Sequence, residues 1–479
     1  GDRVCAGLLF RQDYMIERIN RIVVVGAGIS GLAAAHRLVE INQTNHITLI
    51  EASSRVGGTI HTEYRGDFLI ERGPDSFISE KSQALELAKR LGLESQLIQT
   101  NEEYRRSFIV RDGRLRAVPE GFQLMAPSRM WPFITSDIFS ILGKMRMAAD
   151  LILPRKNANG SNDESLASFV RRRLGEEALV RMAQPMVGGI YTADPETLSL
   201  RATLPRFLEM EKKHRSLILA MLRQGHVQKS GTSGARYSLF LSFDRGVQVL
   251  VDALSQIKAD IRLNTRVESL RLDDRTWTIT TTNGEHLKAD AICLAVPAYV
   301  AATLLDDVNR DLAAKLKQIK YASTATINFG YKRSAINHPL DGFGFVVPFI
   351  EKRSLIACTF SSVKFSGRAP EGHVLLRAFA GGALQPDLFA LDETELASRV
   401  EQDLSELLGI TGEPLFTEVA KWERSMPQYE VGHLDRITEI GNEVKKLPGL
   451  ALAGNSYRGA GLPDCIRSGE TAAEAISHR

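Results

Sequence analysis

The spacing of apolar and polar positions changes several times along the chain, and each change marks an element. Ile22 to Val25 form an unbroken β-branched run leading into Gly26, as a strand buried on both faces does. Apolar side chains then recur at three- and four-residue spacing, which predicts a strand over 21–26 and a helix over 29–41. "HITLIEAS" (46–53) reads as a second strand and completes a β-α-β unit. Amphipathic spacing predicts helices at 81–93, closed by Gly92, at 246–257 and at about 392–408. From Gly92 to about residue 230 the stretch is mostly helical in period, and 227–238 reads as a polar, mobile loop. Strand-like segments follow residue 260 and fill 321–385, with a hairpin turning at Asn283-Gly284. The chain closes with a short apolar strand, a glycine loop and a helix, "GLALAGNSYRGAGLPDCIRSGETAAEAI".

A length of 479 residues sets the expectation of two or three domains. The apolar share of 44% and charged share of 24% are those of a soluble globular protein. A net charge of +3 provides no field for nucleic acid, and none is expected as a partner. The densest basic run, Arg171-Arg172-Arg173, reads as a solvated helix face. Cys5, Cys293, Cys358 and Cys465 lie far apart without metal-type spacing, so reduced thiols in a cytoplasmic compartment and no metal site are expected. No apolar run is long enough for a spanning helix, and "GDRVCAGLLF" lacks a signal-peptide layout. Residues 1–14 read as a disordered leader ahead of Met15.

The first β-α-β unit carries the first chemistry. Gly26, Gly28 and Gly31 form G-x-G-x-x-G, with Ala27, Ile29 and Ser30 between them. Such a turn lets backbone approach a pyrophosphate at a helix N-terminus, whose free N–H groups and partial positive charge favour an anion. Glu51, followed by Ala52, ends the second strand 20 residues beyond Gly31, where a carboxylate accepts ribose hydroxyls. Strand, turn, helix, second strand and carboxylate together point to a dinucleotide.

"EASSRVGGTIHT" resembles the second glycine motif of flavoproteins in the amine-oxidase group. The resemblance places Arg55, Gly58 and Thr59 along an FAD diphosphate and the flavin side. "LNTRVESL" is similar to the strand whose valine backbone grips the adenine, here Val267. "ERGPDSF", "GGIYTADPETLSL", "EKKHRSLILAM", "SMPQYEVGH" and "GNSYRGAGLPDCIRSG" resemble the porphyrinogen oxidases of haem biosynthesis, over essentially residues 20–479. That family covers protoporphyrinogen IX and coproporphyrinogen III oxidases, and the similarity is to its bacterial, Gram-positive-type branch.

The resemblance implies an α/β fold with a Rossmann-type FAD-binding domain assembled from 15–80, 235–300 and 445–479. A helical, membrane-type domain would span 81–234, and a mixed-sheet substrate domain 301–444. It implies six-electron oxidation of a porphyrinogen, passed through FAD to O2. Besides the residues already named, it assigns Arg72, Gly73, Pro74, Asp75, Trp422, Ala460, Gly461 and Leu462 to the cofactor, and Gly189, Phe343, Val346 and Phe379 to the substrate. The plant and animal enzymes carry a carboxylate-facing arginine where this chain has Ser107, so Lys81 is taken as the anchor, with Arg105 and Arg106 just upstream of Ser107. No residue is assigned as obligatory acid or base, and His214 and His433 read as structural. Trp131, Phe133 and Phe139 in "APSRMWPFITSDIFSILGKM" could insert at a membrane interface, giving a cytoplasmic protein with or without peripheral membrane contact. A homodimer is compatible with the amphipathic helices. The alternatives are an amine oxidase or carotenoid desaturase on the same scaffold, or a non-catalytic FAD-binding scaffold.

Overall fold

The computed structural model describes residues 21–123, 125–155, 163–227 and 239–477. The expected leader over 1–14, Cys5, and all but the first residue of the loop expected at 227–238 lie outside the described residues.

Five parallel strands form the sheet on which the cofactor body is built. Their order is Asp260–Arg262, His46–Ile50, Arg21–Val25, Ala291–Leu294 and Leu450–Leu452. Parallel strands are covered on both faces, so their apolar runs are continuous. Ile22, Val24 and Cys293 face one core with helices Ile29–Ile41 and Leu462–Ser477. Val23, Val25 and Leu294 face another, against the antiparallel strands Val267–Asp273, Thr276–Thr281 and His286–Ala289. The last two of these form the expected hairpin, with Gly284 at φ +82°. Glycine sets how close the helices come. A Cβ on Gly31 would lie 1.8 Å from the Gly26 carbonyl oxygen, and one on Gly469 would lie 2.1 Å from that of Ser30. Sequentially distant segments thereby pack into one α/β body.

A second, seven-stranded mixed sheet runs in the order Phe416–Pro427, Tyr321–Lys332, His373–Gly381, Ala357–Phe360, Gly344–Val346, Phe108–Arg111, Arg114–Ala117. Helix Glu393–Leu408 covers it, with Asp392 capping its start through the Glu395 N–H and Gly409 at φ +63° ending it. The last two strands come from a stretch whose period reads as mostly helical. Phe108 and Ile109 pair in parallel with Phe345 and Val346, an edge supplied from more than 200 positions away. A distant partner of this kind overrides local periodicity.

The third core is helical, built on Leu166–Arg173, Gln184–Tyr191, Pro205–His214 and Leu217–Val227. Two expectations change here. Only Arg171 of the basic run lies on the surface, paired with Glu176 and Glu196. Arg172 turns to Glu164 and Glu211, and Arg173 is buried on Asp150, because successive helical residues point about 100° apart. Phe133 and Phe139 likewise do not reach solvent. They pack with Phe122 inside this core, whereas Trp131 is 75% exposed, and Ile134, Ile141 and Leu142 are exposed as well. No helix among the described residues is long and apolar enough to cross a membrane.

Candidate cofactor cleft and substrate cavity

Where strand Arg21–Val25 meets its helix, the two glycine loops stack. Gly57 N–H donates to the Ala27 carbonyl at 2.8 Å, and Gly28 bridges to Gly57. A Cβ on Gly26 (φ +97°) would strike the Ala295 carbonyl oxygen at 2.5 Å, so the turn requires glycine. At Gly28 a Cβ would meet nothing within 4 Å, because that side opens into a cleft of about 360 Å³. Gly26, Gly28, Ile29, Ser30, Glu51, Ala52, Gly58, Thr59 and Val267 all line it. Open space over a glycine at a helix N-terminus is the shape a pyrophosphate needs. Glu51 accepts from the Ala27 N–H and from the N–H and hydroxyl of Ser53, each at 2.8 Å. A carboxylate offers about four acceptor positions, so this one retains capacity for a ribose hydroxyl. The residues present therefore fit a dinucleotide such as FAD.

The other cofactor residues expected from sequence divide in two. Arg55 turns into its own loop and donates to the carbonyls of Val56, Gly58 and Ile60 at 3.1, 2.5 and 2.9 Å, which fixes the second glycine turn. Arg72 pairs with Glu63 and Glu418, and its carbonyl accepts the Trp422 indole N–H at 3.0 Å. Arg72 and Trp422 thus clamp the cofactor body to the mixed sheet and line neither space. Gly73 lies so close to Thr59 that a Cβ would sit 1.7 Å from its carbonyl oxygen. Ala460 and Gly461 precede helix Leu462–Ser477, while Gly454, Asn455 and Cys465 from this C-terminal segment border the cleft. His433 stacks on Tyr429 and bonds the Tyr457 carbonyl, and burial lowers its pKa to about 4. A neutral, enclosed imidazole agrees with a structural role for it.

A larger cavity, about 1020 Å³, lies between the helical core, the mixed sheet and the segment running from Asp75 to Glu80. Gly189, Phe343, Val346 and Phe379 all line it, as does Ser107. Lys81 does not. Its ammonium pairs with Asp464 at 2.5 Å, on the first turn of the C-terminal helix, outside the lining where a substrate anchor was expected. Arg105 and Arg106 are similarly held by Glu102 and Asp341.

Asp75, expected at the cofactor, lines the larger cavity. Lys364 donates to it at 3.1 Å and also bonds the Ser76 hydroxyl, while Arg377 lies 3.6 Å away. Burial by itself would raise the Asp75 carboxyl, but Lys364 and Arg377 hold it well below the usual carboxylate range. Arg377 also bonds the Gly73 carbonyl and covers Phe379. The Cys358 thiol in the same wall is pushed up by burial and stays protonated. Lys364 and Arg206 were missed from sequence. Neither sits in a motif, and only the meeting of sheet and helices brings them to one wall. The cavity is therefore a mainly aromatic and aliphatic box with a largely enclosed ion pair in its wall.

Residues 29–477 match the profile of the flavin containing amine oxidoreductases. The coproporphyrinogen III oxidase of Bacillus subtilis (strain 168) is 36% identical over 467 residues, which cover 96% of this chain and 98% of that relative. The chloroplastic protoporphyrinogen oxidase of Nicotiana tabacum is 30% identical over 479 residues, 95% of this chain and 85% of the relative. A crystal structure from Exiguobacterium sp. 255-15, provisionally called a protoporphyrinogen oxidase, superposes with a TM-score of 0.85 at 32% identity, covering 96% of this chain and 99% of that one.

Proposed function

Because the chain belongs to the flavin containing amine oxidoreductase family, we propose that it holds FAD in the glycine cleft and oxidises a porphyrinogen to the porphyrin in haem biosynthesis, with O2 as electron acceptor. The observation that carries this reading is the large, mainly apolar cavity whose wall includes Asp75 and Ser76, two and three residues beyond Gly73, which packs against Thr59 of the cofactor cleft. A flat macrocycle with carboxylate tails needs aromatic and aliphatic walls with few charges. Coproporphyrinogen III is the substrate put first, since the relatives of that name from Bacillus subtilis and Staphylococcus aureus are 36% and 34% identical to this chain.

When bound, the flavin supplies a two-electron acceptor. The chain supplies binding and position. Gly26, Gly28 and the helix after them receive the pyrophosphate, and Glu51 receives a ribose. Phe343, Val346 and Phe379 hold the macrocycle face and keep bulk water from it. Asp75, fixed as a carboxylate by Lys364 and Arg377, offers pyrrole N–H groups an acceptor. Successive rounds need only that the disc re-seat in the same box.

The test uses purified protein in air with anaerobically prepared coproporphyrinogen III and, separately, protoporphyrinogen IX, reading porphyrin fluorescence and peroxide. A colourless protein that stays inactive when supplied with FAD would sink the reading. A protein active on protoporphyrinogen alone would reverse the order of substrates. For location, the reading is a cytoplasmic protein touching a membrane through Trp131, Ile134, Ile141 and Leu142, and co-sedimentation with anionic vesicles tests it.

A further inference from the structure

The charged side chains lining the large cavity are, among the described residues, Asp75, Glu80, Arg206 and Lys364. They occupy two different settings. Asp75 and Lys364 are largely enclosed and paired with each other. Arg206 and Glu80 are exposed, and so are Ile190 and Leu239 beside them in the lining, so these four mark the mouth. Arg206 contacts the Phe207 ring, 4.9 Å from its guanidinium carbon, and has no carboxylate within 4 Å among the described residues. Arg106, Arg181 and Arg377 are by contrast committed, to Asp341, to Glu351, and to Asp75 and the Gly73 carbonyl. Phe207 is buried in the helical core and gives the guanidinium a fixed platform.

We propose that Arg206 is a specificity-determining residue that binds a carboxylate tail of the substrate at the cavity mouth. The inference rests on the porphyrinogen reading above. A guanidinium presents a planar fork of donors that matches a carboxylate in two parallel hydrogen bonds. A tail held there turns one edge of the macrocycle outward and leaves the opposite edge against the apolar floor. Lys364 cannot serve in the same way, because its ammonium already neutralises Asp75. The position is also independent of the Ser107 wall, so the chain would hold a tail from the helical side of the cavity.

The experiment compares wild type with Arg206→Ala and Arg206→Lys, using coproporphyrinogen III and its tetramethyl ester. Flavin absorbance confirms that each variant is folded and loaded. The expected result for Arg206→Ala is a rise of about five- to tenfold in KM for the free acid at nearly unchanged kcat, with KM for the ester unmoved. Binding of the product porphyrin, read by quenching of protein fluorescence, should weaken by the same factor, and Arg206→Lys should recover part of both. In wild type, added salt should raise KM for the acid but not for the ester. Unchanged KM and product affinity in Arg206→Ala, or equal losses for acid and ester, would overturn the proposal while leaving the functional reading intact. Wild-type protein inactive on every porphyrinogen would overturn both.

Discussion

The cofactor cleft and the substrate cavity are built in opposite ways. Backbone makes the cleft: two glycine loops stacked on one another, a helix N-terminus, and a single carboxylate at the end of a strand. Side chains make the cavity, and they arrive from the helical core, from the mixed sheet and from the segment that leaves Glu71. A backbone site tolerates almost no change at its turns, since a Cβ on Gly31 or Gly73 would overlap a carbonyl oxygen. A side-chain site can alter its charges one residue at a time and keep its shape. This explains how the cavity can place serine at position 107 and arginine at 206 while the cleft keeps a full G-x-G-x-x-G.

Substitutions chosen on the two sides should separate them. The largest effect is expected from Gly31→Ala, whose Cβ would lie 1.8 Å from the Gly26 oxygen. It should abolish flavin retention, seen as loss of visible absorbance in purified protein; a variant as yellow as wild type would refute the close-packing account.

Next comes Glu71, at the end of strand Phe68–Glu71, from which the chain runs on to Asp75. Burial raises its pKa from 4.5 to about 7, against the opposing effect of the Val247 N–H and the Thr62 hydroxyl. Between those values the folded protein holds a proton that the unfolded chain has released. Stability from this group is therefore present at low pH and lost as pH rises to about 7, by about 3 kcal/mol. Glu71→Gln keeps the shape and removes the titration. Relative to wild type, it should gain stability on going from pH 5 to pH 8, measured by urea midpoints; parallel pH profiles for the two proteins would contradict this.

On the cavity side, Phe379→Ala removes an aromatic wall covered by Arg377. KM for the porphyrinogen should rise about tenfold with flavin content unchanged, the converse of the Gly31 result. The smallest effect is on Trp131, 75% exposed. Trp131→Glu should change folding stability by no more than about 0.5 kcal/mol and leave turnover intact, while lowering sedimentation with vesicles. Vesicle binding equal to that of wild type would remove this tryptophan from any membrane contact.

Local pattern carried much of this. The helix over 29–41 was read to the residue, since its apolar spacing and the glycines before it are both local signals. The Asn283-Gly284 hairpin and the helix ending at Leu408 were legible for the same reason. Glu51 was identifiable because the length of a β-α-β unit sets its distance from the turn. The edge strands Phe108–Arg111 and Arg114–Ala117 were not, because they exist only where Gly344–Val346 offers them an edge. Phe133 and Phe139 looked like membrane anchors in a string of apolar residues, and a helical core claimed them. The pairing of Lys81 was not legible, because a charge reveals nothing of its partner until Asp464 is brought beside it.

The chain's own order of residues settled that a dinucleotide cleft would form and which glycines and carboxylate would line it. Those features depend on backbone sterics and on separations of a few to a few dozen residues. Which charges are spent on one another and which stay free for a substrate was decided only by folding. Asp75 lines the larger cavity, Lys81 and Lys364 pair with Asp464 and Asp75, and Arg206 stands open at the mouth. An ion pair depends on distances of a few ångströms between side chains hundreds of positions apart, and no local pattern encodes that.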